Sequence, residues 1–352
     1  MLICVVGNPD DLNATYLGWQ AEQLGMEVLK LPEPGFGLDW WVDWRDDDPQ
    51  AGILGTAHAE HRFDSLLGAI VRFEPAPGLP DALALEPELA LTLVMERRAA
   101  IQHWLNHLPG TVINRPGTGR ANGSKPFQMA RLARLGLDIP PWCLTNDPLA
   151  AREFAAAHPG GVIVKSPSGL RSQVRPLSDD LLHRLDGGTT PVILQRYVAG
   201  TDVRVHVVLG LKGISHARAF ATEVSGGEGV DYRFESDSRQ YMARDIPPSV
   251  EEACARAAAS EGLLLAGLDF KVDAEGRYWC LEMNPVPTFL PYEASTGQPI
   301  AAAILQRMIQ GGASLASPGG GPLASTGRGP KASSQSEEVF HAGSSGGSAR
   351  HS

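Results

Sequence analysis

Lysine is scarce in this chain. There are six lysines against 24 arginines, so the compact ammonium is used sparingly and each one invites a reason. Long apolar runs are missing. No window approaches about 18 uninterrupted hydrophobic residues, so no membrane-spanning helix is expected. The opening "MLICVVGNPDD" has no basic segment ahead of its apolar one and reads as a buried first strand, not a signal peptide. Positive charge is in deficit, with a formal net charge of −10. That argues against nucleic acid or an anionic membrane as the main partner, while leaving room for a small basic pocket. The four cysteines, Cys4, Cys143, Cys254 and Cys280, form no C-x-x-C pair and sit in apolar surroundings. Reduced, buried thiols in a cytoplasmic protein are expected. A zinc-protease signature is absent as well. His103 and His107 have helical spacing, but "HWLNH" lacks the glutamate after its first histidine. That pair, and His58 with His61, are assigned to structure or surface.

What is present suits a globular protein of two or three small domains: 352 residues, 43% hydrophobic and 20% charged. Residues 1–115 open strand, helix, strand ("LICVVG", "NATYLGWQAEQLG", "MEVLKL") and are read as an α/β domain, with a Trp- and Asp-rich loop at "GLDWWVDWRDDDPQAG". Residues 116–200 form an α+β unit holding "GVIVKS" and "PVILQRYV". Residues 201–310 form a strand-rich unit closed by the helix "PIAAAILQRMIQG". Residues 311–352 are rich in Gly, Ser, Ala and Pro and are expected to be disordered. No internal repeat is visible.

"AGLDFKVDAEGRYWCLEMN" reads as a β-hairpin turning at Asp273–Gly276. Pairing Asp273 with Gly276 sets Phe270 opposite Trp279 and Asp269 opposite Cys280. One face then carries Leu268, Phe270, Val272, Trp279, Leu281 and Met283. The other carries Asp269, Lys271, Asp273, Tyr278, Cys280, Glu282 and Asn284. Asp269, Glu282 and Asn284 thus share the polar face near the open end. They are hard oxygen donors of the kind Mg²⁺ or Mn²⁺ prefers. Taken alone, such a face is more simply a solvated sheet surface.

Two lysines bear on that choice. Lys165 ends the apolar strand "GVIVK" before the hydroxyl-rich turn "SPSGLRS". Lys125 precedes the helix "PFQMARLARLG". Each is placed to meet phosphate oxygens, and each is weak evidence by itself. In "VILQRYVAGTDVRVHVV" a strand ends at Gln195–Arg196–Tyr197–Val198 and restarts after Gly200, which offers backbone groups to a planar base. Asp202 and Arg204 share one face of the next strand, and Arg218 lies on its partner.

Together, "NGSKPFQMARLARLGLDIPPWCLTND", "VIVKSPSG", "LQRYVAGTDVRVHVV", "VDYRF" and "GLDFKV…WCLEMNP…TGQPI" resemble, in order and spacing, the ATP-grasp ligases of the RimK-like branch. That branch includes ribosomal-protein glutamate ligases and the macrocyclising ligases of ribosomal peptides. The resemblance spans roughly residues 110–310. It implies an ATP-grasp fold of the α/β (α+β) class behind an N-terminal pre-ATP-grasp α/β domain. By resemblance, Lys125 and Lys165 meet ATP phosphates, Gln195, Arg196, Tyr197 and Val198 meet adenine, and Asp202 lies on the ribose side. Arg204 and Arg218 would lie near the γ-phosphate and acyl phosphate, and Arg233 on a loop near the active site. Asp269, Glu282 and Asn284 would hold Mg²⁺. The single glycine, Gly169, after Lys165 departs from the family's glycine-rich lid. Pro-Val-Pro-Thr-Phe after Asn284 departs from its small Ser/Gly-rich turn, which leaves acceptor specificity open.

The implied reaction is attack of a carboxylate on the γ-phosphate of ATP, then of an amine or hydroxyl on the resulting acyl phosphate. A peptide-modifying ligase of a natural-product pathway is the first expectation. A small-molecule amino-acid or dipeptide ligase is the runner-up, with an ATP-binding scaffold as the rival from another class. A homodimer is carried over from the family alone.

Overall fold

The computed structural model describes residues 1–44, 51–73, 86–168, 174–185, 190–226 and 239–313. Arg233, Gly169 and the tail from residue 314 lie outside the described residues.

The N-terminal part runs β1 (Leu2–Gly7), α1 (Leu12–Gln23), β2 (Glu27–Pro32), β3 (Trp40–Asp43), β4 (Ile53–Thr56), β5 (Glu60–Arg62), β6 (Leu66–Arg72), α2 (Pro87–His107) and β7 (Thr111–Ile113). Strands β2-β1-β6-β7 make a parallel sheet in that order. β1 is apolar on both faces because both are covered. Leu2, Cys4 and Val6 point to the half of α2 that carries Ile101, Trp104 and Leu105. Ile3 points to Leu17 and Ala21 of α1. Arg115 closes the C-terminus of α2, donating to the carbonyls of Leu105, Asn106, Leu108 and Gly110 at 2.7–3.0 Å, which satisfies acceptors that the helix itself leaves open.

The expected Trp-rich loop is corrected. Trp40–Asp43 is a strand of a small antiparallel sheet, β3-β4-β5. Trp40 is 1% exposed, packs on Trp104 at 5.8 Å and donates its indole N–H to the Pro32 carbonyl. An aromatic anchor that finds both an apolar neighbour and an acceptor outweighs the turn-forming aspartates around it.

Next come α3 (Lys125–Arg134), β8 (Trp142–Thr145), α4 (Pro148–Ala157), β9 (Val162–Lys165), β10 (Arg175–Pro176), α5 (Asp179–Leu185) and β11 (Val192–Arg196). Their antiparallel sheet has the order β10-β9-β11-β8. Val162 and Leu194 pack with Ala151 of α4 on one face. Ile163, Lys165, Ile193 and Gln195 fall on the other by alternation.

The last part runs β12 (Thr201–Gly210), β13 (Gly213–Ser225), β14 (Gln240–Arg244), α6 (Pro248–Ser260), β15 (Leu265–Val272), β16 (Tyr278–Asn284), α7 (Leu290–Thr296) and α8 (Ile300–Ala313). The sheet order is β14-β13-β12-β15-β16, antiparallel throughout. β12 shows why one sheet can hold both a core and a site. Val203, Val205, Val207 and Leu209 face the alanine-rich side of α6. Asp202, Arg204 and His206 face the other way. The same face turns apolar at Val208, where it is covered by Phe289, Tyr292, Ile300 and Ile304 of α7, α8 and the loop ahead of them.

The hairpin register is also corrected. Asp273 pairs with Arg277, not Gly276, and Gly276 sits at φ +80, closing a three-residue loop. This moves every pair by one, so Val272 faces Tyr278 and Phe270 faces Cys280. A bulge at Leu281 then moves the register by one more, and Asp269 faces Glu282. Tyr278 and Cys280 therefore enter the core, while Trp279 joins the polar face. The two shifts together restore the parity of Asp269, Glu282 and Asn284.

Candidate functional site

The site face of the larger sheet is built in rows across its strands. One row reads Thr222, Arg204, Asp269, Glu282. The row on one side reads Asp202, Lys271, Trp279, and the row on the other reads His206, Gly267, Asn284. Cross-strand neighbours in such rows have Cβ atoms about 4.5–5.5 Å apart. Three expected ligands, Asp269, Glu282 and Asn284, are thus brought together with Arg204 and Asp202.

Arg204 is 7% exposed and grips Asp269, with Nε donating to Oδ1 at 2.6 Å and Nη2 to Oδ2 at 2.9 Å. A planar fork on a carboxylate in a buried place is strong and geometrically specific. Asp202 pairs with Lys271 Nζ at 2.8 Å. Asn284 Oδ1 accepts the Val286 N–H at 2.9 Å. The oxygens of Asp269 and Asn284 that already accept one bond each have a second lone pair, so the set still offers donors to a cation. Among the described residues, no group of three or more His, Cys, Asp and Glu side chains is arranged to hold a metal. An oxygen set of two carboxylates and one amide suits Mg²⁺, which completes its octahedron from elsewhere.

The smaller sheet supplies a lysine. Lys165 is 9% exposed, and its Nζ donates to Gln195 Oε1 at 2.7 Å. Gln195 is itself fully buried and turns its N–H to Met129 Sδ on α3 at 3.4 Å. The backbone N–H of Lys125 donates to Pro167 O at 3.1 Å, two residues past Lys165. Both lysines therefore flank one turn. Cys280 reports how near the two sheets come. Burial pushes its thiol well above the usual range. Cys254, Asp269 and Glu282 push the same way and Lys165 opposes them.

At the other end, the guanidinium carbons of Arg196 and Arg277 lie 4.4 and 4.0 Å from the Trp279 ring centroid, bracketing the indole. Trp279 donates its N–H to Asp273 Oδ2 at 2.7 Å. Arg196 N–H donates to Pro141 O and Tyr197 N–H to Gly161 O. Tyr197 is 37% exposed and Val198 is buried.

Arg218 is not brought to this place. It pairs with Val208, four residues along β13 from Thr222, or about 13 Å at strand rise. It is exposed and lines a separate cavity of about 430 Å³ with Lys212, His216 and Arg307. Matching β13 by spacing alone missed this, because the residue that shares a row with Arg204 is Thr222.

Four residues escaped the sequence reading. His206 is fully buried. Burial, then the neighbouring Arg204, lowers its pKa to about 3, so the ring is neutral, and its Nε2–H donates to Thr288 O at 3.0 Å. The D-R-H alternation of β12 carried that signal. At Gly267 a Cβ would lie 2.6 Å from Pro287 Cβ and 2.8 Å from Arg204 Nη1, so only glycine leaves Arg204 its place. Thr222 donates to Gln298 Oε1 at 2.9 Å. Gln128, 3% exposed, binds the backbone of Met283 through both ends of its amide.

No family model matches the chain. Over 104 residues it is 35% identical to D-alanine–D-alanine ligase of Bordetella petrii, a match covering 27% of this chain and 32% of that protein. The chain thus matches about a third of that curated relative's length. Among solved structures it is similar to the ATP-grasp ligase PsnB complexed with a minimal precursor, at 26% identity and a TM-score of 0.72, covering 88% of this chain and 98% of that one. The macrocyclase MdnC, bound with precursor peptide MdnA from Microcystis aeruginosa MRC, aligns at 21% identity and a TM-score of 0.73, over 88% of this chain and 100% of that one.

Proposed function

We propose, from the premise that this chain is an ATP-grasp ligase, that it joins a carboxylate to an amine or hydroxyl on a peptide in natural-product biosynthesis, with release of ADP and phosphate. The observation that carries the reading is the row Arg204–Asp269–Glu282, with Asn284 in the next row and Lys165 held by Gln195 on the smaller sheet. It is supported by the similarity to PsnB, whose structure is a complex with a minimal precursor.

In this reading Lys125 and Lys165 hold phosphate oxygens of ATP. Gln195 keeps the Lys165 ammonium at the strand end, and the segment Arg196–Val198 offers backbone groups to adenine, with Asp202 on the ribose side. Asp269, Glu282 and Asn284 hold Mg²⁺, or Mn²⁺ in its place, and the bound cation would offset phosphate charge. Arg204 fixes the Asp269 carboxylate and brings positive charge to the transferring phosphoryl group. The work of these residues is orientation and charge compensation. None of them is required as a covalent nucleophile. The Pro285–Gln298 segment, held to Arg72 through Pro287 O and to Asn13 through the N–H groups of Phe289 and Leu290, borders the acceptor. The chain acts in the cytoplasm, as a homodimer, with residues 116–200 as the nucleotide lid and 201–310 as the metal side.

The match to D-alanine–D-alanine ligase favours a second reading, a small-molecule amino-acid or dipeptide ligase. One experiment separates the readings. The protein is incubated with ATP and Mg²⁺, with either candidate precursor peptides or a pool of amino acids. Nucleotide products are resolved, and hydroxylamine is added to trap activated carboxyl groups. ADP and a peptide hydroxamate with the peptide alone support the first reading. Turnover with amino acids alone supports the second. AMP with pyrophosphate rejects both.

A further inference from the structure

We infer that Gln128 is a positioning residue for Glu282 and Asn284, and that α3 gauges the distance between those side chains and Lys165. The inference rests on the metal reading of Glu282 and Asn284.

β16 is the outer strand on its side of the larger sheet, so among the described residues one edge of its backbone has no strand to pair with. Past the strand the chain is held at its carbonyls, Pro285 O by Asn114 Nδ2 at 2.6 Å and Pro287 O by Arg72 Nη1 at 2.9 Å, and Asn284 gives Oδ1 to the Val286 N–H. Within the strand, the open edge at Met283 still needs partners for one N–H and one C=O. Gln128 supplies both. Its Nε2 donates to Met283 O at 2.8 Å and its Oε1 accepts the Met283 N–H at 3.0 Å. Met283 is the residue between Glu282 and Asn284, so fixing its peptide groups fixes where both side chains leave the strand. Farther along the same edge, Cys280 N–H donates to Asp138 O at 2.7 Å. Residues of α3 and of the turn beyond it therefore stand in for a missing sixth strand.

A leucine at position 128 would pack against the sheet without either bond. The buried amide is specific to holding the two peptide groups that flank Met283, one shared with each ligand. Its neighbours on the helix reach the other way. Met129 Sδ accepts from Gln195, which holds Lys165, and Lys125 begins the helix one turn earlier. Two consecutive residues of one rigid helix thus fix the oxygen ligands and the phosphate lysine relative to each other. Outer groups that orient metal ligands are worth about 10–100-fold in metal affinity.

The test is Mn²⁺ binding in the presence of ADP, read by electron paramagnetic resonance of the free ion, on the wild type and three variants. Gln128→Leu removes both bonds. Gln128→Glu keeps the acceptor for Met283 N–H and sets a carboxylate oxygen against Met283 O, and it serves as the second variant should Gln128→Leu fail to fold. Glu282→Gln tests the ligand reading itself. The expected result is about tenfold weaker Mn²⁺ binding in both Gln128 variants. ADP binding without metal would be unchanged, and the Mg²⁺ needed for half-maximal ADP formation would rise with little change in kcat. Weakening by Glu282→Gln but by neither Gln128 variant overturns the inference and leaves the ligand reading standing. Wild-type affinity in Glu282→Gln, or no Mn²⁺ binding by the wild type, overturns both.

Discussion

The two antiparallel sheets that face each other across the site are built differently. The larger one is covered on both faces. α6 lies against Val203, Val205, Val207 and Phe270, and α7 and α8 cover Val208 and Phe220. The smaller one has short strands, and its described buried apolar residues are Ala151, Val162 and Leu194 on one face and Ile163 and Ile193 on the other. The larger sheet carries its charges fixed in rows, with Arg204 forked on Asp269. The smaller sheet brings Lys165 to the site at the end of a four-residue strand. In the proposed reading, the ligands that must keep an angular relation sit on the sheet with the deeper core, and the sheet that admits and releases the nucleotide has the thinner one, as low local stability requires.

If that division holds, damage to the two sheets should differ in kind. The largest effect is expected at Glu282→Gln. Turnover should fall by more than the roughly hundredfold ceiling seen for outer-shell changes, while the circular-dichroism melt stays near that of the wild type. Lys165→Met on the smaller sheet should instead raise KM for ATP about 10-fold or more and spare metal binding to the ADP complex, because it removes one charge-assisted contact to phosphate. Equal loss of metal binding in both variants would break the comparison.

Breaking ion pairs should sort by burial. Arg204→Met leaves Asp269 buried and uncompensated and should cost about 3–5 kcal/mol in urea unfolding. Arg277→Met, whose pair with Asp138 has side chains 53% and 48% exposed, should cost about 1 kcal/mol or less. Similar costs would mean that Asp269 is more solvated than its place in the row implies. Core truncation should sort by sheet. Phe270→Ala should cost about 3–5 kcal/mol globally. Leu194→Ala should speed amide exchange in β9 and β11 while β12 and β15 stay protected.

The remaining expected effect is confined to acidic pH. His206 titrates at about 3 when folded and near 6.5 when unfolded. The unfolded chain therefore takes up the proton first as pH falls. Stability from the neutral ring is full above about pH 6.5 and is lost downward toward pH 3, at no more than about 1.4 kcal/mol per pH unit. His206→Gln should flatten the urea-midpoint profile in that window and leave it unchanged above pH 7.

Much of this was legible in the chain, for reasons tied to particular residues. β12 alternates Asp, Arg, His against Val, Val, Val, and that period of two separates site from core without any coordinates. Asp269, Glu282 and Asn284 fell on one face because the three-residue loop at Gly276 and the bulge at Leu281 shift the register by one residue each, and two shifts restore parity. Between those shifts, at Tyr278, Trp279 and Cys280, the reading failed, since nothing in "VDAEGRY" tells a three-residue loop from a two-residue one. Arg218 was beyond reach for a related reason: which residue of β13 faces Arg204 depends on the length of a turn. Gln128 was invisible because its partner, Met283, lies 155 residues away and is met through its backbone, which every residue shares. The strand at Trp40 was hidden by aspartates that signal a turn.

The central claim is that a carboxylate oxygen of the substrate ends up on phosphate. A peptide that the protein turns over, synthesised with ¹⁸O in its carboxylates, is incubated with the protein, ATP and Mg²⁺, and the released phosphate is weighed by mass spectrometry. One ¹⁸O in each phosphate formed, with ADP as the only nucleotide product, is the predicted result. ¹⁸O in AMP, or phosphate carrying no label while product accumulates, would contradict the account.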